Sequence, residues 1–195
     1  MTQLASDNFT RANSGSLGAN WTTNTFDSSQ QFAIIGNTAQ PDSLFSDLSD
    51  AYSAWSGGND HYSEVTFNAT AADGAGTGSG ANCREITTAA TYYRLIGNAS
   101  GYELIKKVAG TVTSLSSGTG TTFAANDVLR LELQGTTWRL KKNGTQFATS
   151  TDSSISTGVP GVGYSSTASS QANAALKLWA GGDFALLPLG AQQLT

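Results

Sequence analysis

The sequence predicts an all-β fold made of two antiparallel sheets packed face to face, with almost no helix. Many short segments alternate apolar and polar residues with a period of two, and turn residues separate them at intervals of about 8–12 residues. Charged residues make up only 12% of the 195-residue chain, which also contains 22 glycines. This composition favours short strands joined by many turns, with hydroxyl and amide groups forming much of the surface.

Residues 127–151 show this pattern most clearly. Leu129, Leu131 and Leu133 lie on one face of a predicted strand at residues 128–133, and the residues between them lie on the other face. Strict alternation of this kind is typical of a half-buried strand.

A predicted hairpin follows this strand. Trp138 and Leu140 continue the apolar alternation, and Asn143-Gly144 precedes a returning strand that contains Phe147. Asn-Gly is a strong hairpin signal because a type I′ turn needs positive φ at both central residues. The three strands expose one apolar face, which must pack against a second layer supplied by the rest of the chain.

The remaining segments supply the other strands of a single domain at residues 1–184. No linker divides the chain, and no repeat of fixed period indicates a propeller or solenoid. In the last segment we predict Leu176 and Leu178 on the face opposite Lys177 and Trp179, with the regular pattern ending at residue 181. The predicted strands are residues 7–9, 20–23, 32–35, 51–55, 61–69, 83–87, 91–97, 101–108, 111–116, 162–165 and 173–179.

Composition excludes several classes of partner. The net charge of −4 argues against nucleic acid and against an anionic membrane surface. The single cysteine, Cys83, excludes an intrachain disulfide. The N-terminal segment lacks the basic region and the apolar run of a secretory signal peptide. We therefore expect a protein made in the cytoplasm.

Three pieces of the sequence, with a further stretch between them, together carry a resemblance to a known family. The three pieces are DNF (7–9) with LGANW (17–21), DVLRLE (127–132) with NG (143–144), and WAGGDF (179–184), and the further stretch is TYYRL (91–95). They resemble the concanavalin A-like lectin/glucanase jelly rolls in their laminin-G-like form, over about residues 5–184. The resemblance implies a jelly-roll β-sandwich. That family contains sugar-binding lectins, glycoside hydrolases and non-catalytic modules, including modules of bacteriophage structural proteins.

The catalytic motif of the glucanases in that family is missing. Their active strand carries Glu-x-Asp-x-x-Glu, which places two carboxylates beside the scissile bond. Here Glu64, Glu85, Glu103 and Glu132 each stand alone in the sequence, and we predict that they are surface strand residues. We therefore predict that the protein is not an enzyme.

No metal or cofactor is predicted. His61 is the only histidine, so a histidine-based zinc site would lack partners. Cys83 is interpreted as a small buried strand residue. Asp42, Asp47 and Asp50 could gather oxygen ligands for calcium, which is the alternative, but their spacing is not that of a calcium-binding loop.

Aromatic residues are the candidates for carbohydrate binding, because ring faces stack on sugar rings. Alternation places Tyr92 and Tyr93 on opposite faces of a strand, so one of the two is expected to be exposed. The candidates are Trp55, Tyr62, Tyr92, Tyr93 and Tyr102.

Two function hypotheses follow. The first is a non-enzymatic virion component of a bacteriophage, such as a capsid decoration or fibre-associated protein. It would contact other virion proteins or copies of itself as a homo-oligomer, and it would be located in the virion. The alternative is a carbohydrate-binding module that recognises a surface glycan.

The tail at residues 185–195, together with Phe184, is predicted to bind a partner. Phe184, Leu186, Leu187 and Leu189 are apolar, and each would forgo about 1.5–3 kcal/mol if left in water. Pro188 prevents this segment from forming a regular central strand. We expect it to dock on a neighbouring subunit; the alternative is docking on its own domain.

Deletion of residues 185–195 tests the tail. The truncated protein is expected to lose self-assembly or particle binding while its monomer keeps the stability of the full chain. Sedimentation and thermal unfolding measure the two properties. Unchanged assembly would contradict the partner-binding arm, and a destabilised monomer would indicate docking on the same domain.

Overall fold

The fold is seen in a computed structural model, which describes residues 1–26, 28–43, 47–70, 76–165 and 171–184. The described residues form fifteen strands and one 3-10 turn, Ala172–Ala174. In this part of the chain no helix is long or apolar enough to cross a membrane. The strands are, in chain order, β1 (Thr2–Asp7), β2 (Trp21–Thr23), β3 (Phe32–Ile35), β4 (Thr38–Pro41), β5 (Leu48–Tyr52), β6 (His61–Phe67), β7 (Gly78–Ile86), β8 (Thr91–Asn98), β9 (Gly101–Val108), β10 (Thr111–Gly118), β11 (Val128–Gln134), β12 (Thr137–Lys142), β13 (Thr145–Thr151), β14 (Val159–Ser165) and β15 (Leu176–Asp183).

The predicted three-stranded unit is β11–β12–β13. Leu131 pairs with Leu140 across the β11–β12 ladder, so the two apolar alternations share one face. Asn143 and Gly144 have φ angles of 49° and 81° between β12 and β13, which are the positive values that a type I′ turn requires. The hairpin prediction is confirmed.

The strands form two antiparallel sheets. Among the described residues, sheet A has eight strands in the order β13-β12-β11-β6-β15-β4-β3, with β1 also paired to β15. Sheet B has seven strands in the order β10-β9-β8-β7-β14-β5-β2. Strands that are distant in sequence are neighbours in both sheets, as in a jelly-roll β-sandwich. The predicted fold class is confirmed.

The core lies between the inner faces of the two sheets. The residues predicted for it from sheet A are at most 4% exposed, apart from the half-buried Phe147: Leu129, Leu131, Leu133, Trp138 and Leu140. Sheet B contributes the facing layer, which includes the fully buried Cys83, as predicted. The other members of this layer include Leu48, Ala81, Tyr93, Leu95, Leu104, Val162 and Tyr164.

The prediction for the faces of β15 is wrong. The register against β6 shifts between Leu176 and Leu178, so an extra residue, the exposed Lys177, is inserted into the strand. Such an insertion turns the following side chains to the other face. Trp179 therefore enters the core, with no exposed surface and its ring centroid 4.8 Å from that of Trp21.

Strand β15 also continues beyond the predicted end. It runs through Gly181 and Gly182 to Asp183, and β1 pairs with it from Thr2, earlier in the chain than expected. A Cβ at Gly182 would collide with the Thr2 carbonyl oxygen and the Tyr62 ring, so the close approach of these strands requires glycine there.

The predicted partner-binding tail lies mostly beyond the described part of the chain. Phe184 is half-buried, and its backbone N–H donates to the Asp60 carbonyl oxygen at 3.3 Å. Leu186, Leu187 and Leu189 lie outside the described residues. Binding of a partner by this segment therefore stays a prediction.

Leu131→Ala tests the packing between the sheets. Because Leu131 has no exposed surface, we expect the substitution to lower the free energy of unfolding by about 2–5 kcal/mol. Guanidinium denaturation measures this change. The exposed Thr151→Ala is the control, with an expected change within about 0.5 kcal/mol. An equally small change for Leu131→Ala would contradict the burial of this residue.

Candidate functional site

Tyr92 and Tyr93 are both completely buried, so the expectation that one of them is exposed is wrong. Tyr93 lies in the core. Tyr92 lies on the outer face of sheet B, where the Arg94 guanidinium covers its ring at 4.2 Å from the centroid. Alternation correctly separates the two rings, but it does not reveal which charged side chains cover the outer one.

The other three predicted aromatics lie in separate places. Tyr62, on the outer face of sheet A, is 4% exposed because the Arg130 guanidinium lies 4.1 Å from its ring centroid. Trp55, in the loop before β6, packs edge-on against the His61 ring. Tyr102, in β9, is half-buried. The five candidates therefore do not form one sugar-binding surface.

Two of the glutamates are buried, contrary to the prediction that all are surface residues. Glu132 is 1% exposed, and its carboxylate accepts a hydrogen bond from Lys141 Nζ at 2.7 Å. Glu85 is also 1% exposed and accepts from Asn82 Nδ2 at 2.8 Å. Among the described residues, no group of three or more His, Cys, Asp or Glu side chains could hold a metal ion.

Glu85 belongs to a buried polar network on the outer side of sheet B. Arg94 has no exposed surface and donates to Asn82 Oδ1 at 3.0 Å, Tyr164 O at 2.7 Å and Leu48 O at 2.9 Å. Asn82 links this arginine to Glu85, and burial raises the pKa of Glu85 to about 7. The network connects four strands. This network could not be predicted from the sequence, because its members are far apart along the chain.

A second buried carboxylate connects the two sheets. Asp50, 2% exposed, accepts from the Phe32 N–H at 2.6 Å and from the Thr23 hydroxyl at 2.7 Å. Burial raises the pKa of Asp50 to about 6. This aspartate therefore has a structural role in joining β3 to β2.

His61 is held as a neutral ring. Its Nε2 accepts from the Arg84 backbone N–H at 3.1 Å, so Nδ1 carries the proton and donates to the Gly58 carbonyl oxygen at 3.0 Å. Burial lowers the pKa of His61 to about 4. Both ring nitrogens are occupied by the backbone, which leaves neither free for proton transfer to a ligand.

A groove of about 450 Å³ lies where the β12–β13 turn meets the loop after β10. We call it the Phe147 groove. Its apolar wall is the ring of Phe147, whose centroid lies 4.9 Å from that of Tyr102 and 6.3 Å from that of Phe123. The lining residues are Gly120, Thr121, Thr122, Lys142, Asn143, Thr145 and Phe147.

Charges in the Phe147 groove are already paired. Lys142 Nζ lies 2.9 Å from Asp127 Oδ2 and donates to the Thr122 carbonyl oxygen at 2.7 Å. The Asn143 side chain is also occupied, because it bonds to the Val128 N–H and to Asp127. The groove therefore offers no unpaired charge to a ligand among the residues that line it.

The hydroxyl groups of the Phe147 groove are the available polar groups. Within the described ranges, the side chains of Thr121, Thr122 and Thr145 make no hydrogen bond to the protein. A hydroxyl both donates and accepts, so the groove combines three adaptable polar groups with one aromatic ring. The sequence signal for this site was weak, because Phe147 reads as an ordinary core residue.

The sequence matches no protein-family model and no curated protein. The fold is similar to several solved structures. One is the carbohydrate-binding module CBM66 from Bacillus subtilis, with a TM-score of 0.61 and 20% identity over 86% of this chain and 95% of that one. Another is the CBM2 module of the evolved Dit of Lactobacillus casei BL23 phage J-1, with a TM-score of 0.54 and 12% identity over 92% and 94% of the chains.

A third similar structure belongs to a larger protein. It is the GH43 protein BlXynB from Bacillus licheniformis, with a TM-score of 0.59 and 12% identity over 92% of this chain. The match covers 39% of that protein, so this chain is similar to one part of it. At these identities the comparisons show a shared lectin-like β-sandwich fold.

The buried carboxylates predict an unusual dependence of stability on pH. Glu85 and Asp50 bind a proton more tightly in the folded than in the unfolded chain, with folded pKa values of about 7 and about 6 against ordinary values of 4.5 and 3.8. As the pH rises from about 4.5 to 7, these two carboxylates are therefore expected to lower the free energy of unfolding, by roughly 3 kcal/mol for Glu85. His61, whose pKa burial lowers to about 4, acts in the opposite direction between about pH 4 and 6.5, so a comparison with a Glu85 variant isolates the effect.

Urea denaturation across this pH range measures the effect. Glu85→Gln removes the titrating group while keeping a side chain that accepts a hydrogen bond from Asn82, so its stability should vary less with pH. A Glu85→Gln variant whose stability varies with pH as much as that of the wild type would show that the Glu85 carboxylate does not titrate as described.

Proposed function

We propose that this chain is a non-catalytic carbohydrate-binding module that binds a neutral glycan in the Phe147 groove. The observation that carries the proposal is the pairing of one half-exposed aromatic ring with three unengaged hydroxyls in a groove of about 450 Å³. This volume lies within the range of about 300–1,000 Å³ for small-molecule sites. Similarity of fold to CBM66 and to the phage CBM2 module supports the same function.

The chemistry of the groove matches that of a sugar ring. The face of Phe147 can pack against the C–H face of a pyranose, and the threonine hydroxyls can exchange hydrogen bonds with its hydroxyl groups. Because Lys142 is already paired with Asp127, the groove gains little from a ligand carboxylate or sulfate. Neutral glycans are therefore the favoured class.

The backbone of β13 holds Phe147 in its place in the groove. The β12–β13 register shifts so that Leu140 pairs with Ala148 and Lys141 with Gln146, which leaves Phe147 between them without a partner. Bulges of this kind often re-aim a side chain beside a functional site. Contacts with Tyr102 and Phe123 fix the ring, so little rotamer entropy is lost when a ligand binds.

The lining of the groove supports a non-catalytic role. Most glycoside hydrolases need two carboxyl groups on either side of the bond that they break. No aspartate or glutamate lines the Phe147 groove. Bound glycan would therefore be held in this groove without being cleaved.

A second candidate function is a component of a phage virion. The observation in its favour is the similarity to the CBM2 module of the phage J-1 Dit, over nearly the full length of both chains. The two proposals are compatible, because a module in a phage particle can itself bind a glycan. Co-sedimentation of the tagged protein with assembled virions tests the second candidate, and its absence from purified particles would exclude it.

Phe147→Ala tests the glycan site. Wild-type protein is expected to be retarded in gels that contain neutral polysaccharides such as β-glucan, xylan or galactomannan, and calorimetry then gives the affinity. Phe147→Ala should abolish the retardation, because it removes the apolar wall. Phe26→Ala is the matched control, since Phe26 is 64% exposed in a loop that does not line the groove.

A second variant separates binding from folding. Thr145→Val keeps the shape of the side chain and removes one hydroxyl, so it should weaken binding about 3–10-fold without loss of stability. Affinity unchanged in both groove variants would contradict the Phe147 site. Reducing sugar released in the same mixtures would contradict the non-catalytic role.

A further inference from the structure

A second polar cleft lies at the other end of β12 from the Phe147 groove. It has a volume of about 380 Å³, and we call it the Asp60 cleft. The β11–β12 loop, the loop that precedes β6 and the loop that follows β13 meet there. The lining residues are Asn59, Asp60, Arg84, Gly135, Thr136, Ser153, Ile155 and Ser156.

One buried guanidinium group holds these loops together. The Arg84 side chain is 3% exposed. It donates to the carbonyl oxygens of Asn59 at 3.0 Å, Ile155 at 2.8 Å and Gly135 at 2.7 Å. Each of these carbonyls belongs to a different loop, so a single charged group fixes the walls of the cleft relative to one another.

The backbone at Arg84 is strained. Its φ angle is 50°, in the left-handed region that side chains with a Cβ rarely adopt. Gly158 crosses directly over it, with a φ of 133° and no space for a Cβ beside the Arg84 backbone. Strained residues persist only where their surroundings hold them, and they are concentrated at binding and catalytic sites.

The Asp60 carboxylate is oriented by this framework but not fully used. Its Oδ1 accepts from Arg84 Nη2 at 3.1 Å and from the Gly135 N–H at 2.8 Å. Its Oδ2 makes no hydrogen bond to any described residue, and the side chain is 47% exposed. A fixed carboxylate oxygen therefore faces the cleft as an open acceptor.

Complementary groups line the same cleft. In the described part of the chain, the Asn59 Nδ2 amide and the hydroxyls of Ser153 and Ser156 have no hydrogen-bond partner in the protein. The cleft thus offers one strong acceptor, one amide donor and two hydroxyls. Adjacent hydroxyl groups of a sugar need this combination, because each donates one hydrogen bond and accepts others.

Other ligand classes fit the cleft less well. Calcium takes about six to eight oxygen ligands, and Asp60 supplies the one open carboxylate oxygen of this lining. An anion would meet the negative charge of Asp60 while Arg84 is already occupied by four acceptors. An apolar ligand would find Ile155 as the single aliphatic side chain of the lining beyond glycine.

We propose that the Asp60 cleft is a second binding site, which takes the vicinal hydroxyls of a sugar residue through Asp60, Asn59, Ser153 and Ser156. The proposal extends the glycan-binding function but does not depend on the Phe147 groove. Strand β11 has seven residues, so the two sites are separated by about 20 Å along the sandwich. One monosaccharide cannot fill both, whereas a long glycan or two neighbouring chains can, with a gain in avidity.

Amide NMR titration of the full chain tests this proposal. Methyl mannoside, methyl galactoside and methyl glucoside serve as separate probes, with calcium chloride as a fourth. Saturable shifts at the amides of Gly135, Thr136, Ser153 and Ser156 are expected with at least one sugar. Asp60→Asn keeps an acceptor for Arg84 and Gly135 but replaces the open oxygen by a donor, so affinity at these amides should fall at least about tenfold.

Two further variants guard against effects on folding. The double variant Ser153→Ala/Ser156→Ala removes hydroxyls without internal partners and should also weaken cleft binding. Thr145→Val in the Phe147 groove should leave the cleft shifts unchanged.

The outcomes distinguish the two sites. Sugar-induced shifts confined to the groove amides of Gly120, Thr121 and Asn143 would overturn the Asp60 site and leave the proposed function intact. Shifts confined to the cleft would support the Asp60 site and contradict the groove. No sugar-induced shift at either site would overturn both for these sugars, and cleft shifts with calcium alone would make it a cation site.

Discussion

The contact between the apolar inner faces of the two sheets is the constraint on which the rest of the structure depends. The leucines of β11 pack against the inner residues of sheet B, and none of Leu129, Leu131 and Leu133 retains exposed surface. A sandwich closed in this way leaves loops at both ends of its strands. The Phe147 groove and the Asp60 cleft are formed by these loops, so both depend on a register that the core sets.

Several of the charged side chains in this protein are buried, which is uncommon. Few residues are charged, yet Arg84, Arg94 and Glu132 are almost completely buried. A buried charge is costly unless hydrogen bonds replace its water, and Arg94 meets this need with backbone carbonyls and Asn82. Each buried arginine is therefore a rigid connection between strands or loops that are remote in sequence.

The features that were predicted correctly from the sequence are those that local patterns determine. Alternation in β11 and the Asn143-Gly144 turn identified the central hairpin, because period and turn chemistry act over a few residues. The faces of β15 were mispredicted because the extra residue at Lys177 is specified by pairing with β6, which local alternation does not report. Tyr92 was mispredicted for a related reason, since the side chains of Arg94 and Lys107 lie over its ring, and Lys107 comes from the neighbouring strand β9.

The candidate sites were harder to predict than the fold. Phe147 was recognised as apolar, but its place in a groove follows from a bulge against β12. Asp60, in the loop before β6, and Arg84, in β7, are separated by 24 positions and meet only in the folded sandwich. No spacing rule connects such residues, because their proximity is a product of the complete sandwich.

The pairing of β1 with β15 places the start of the first strand beside the end of the last strand. Thr2 lies opposite Asp183, and Asp183 lies opposite His61 at the end of the sandwich that carries the Asp60 cleft. Thr2 and Asp183 therefore both lie close to that cleft. The Phe147 groove lies at the far end of the sandwich, so a glycan bound there would be held away from both of these chain ends.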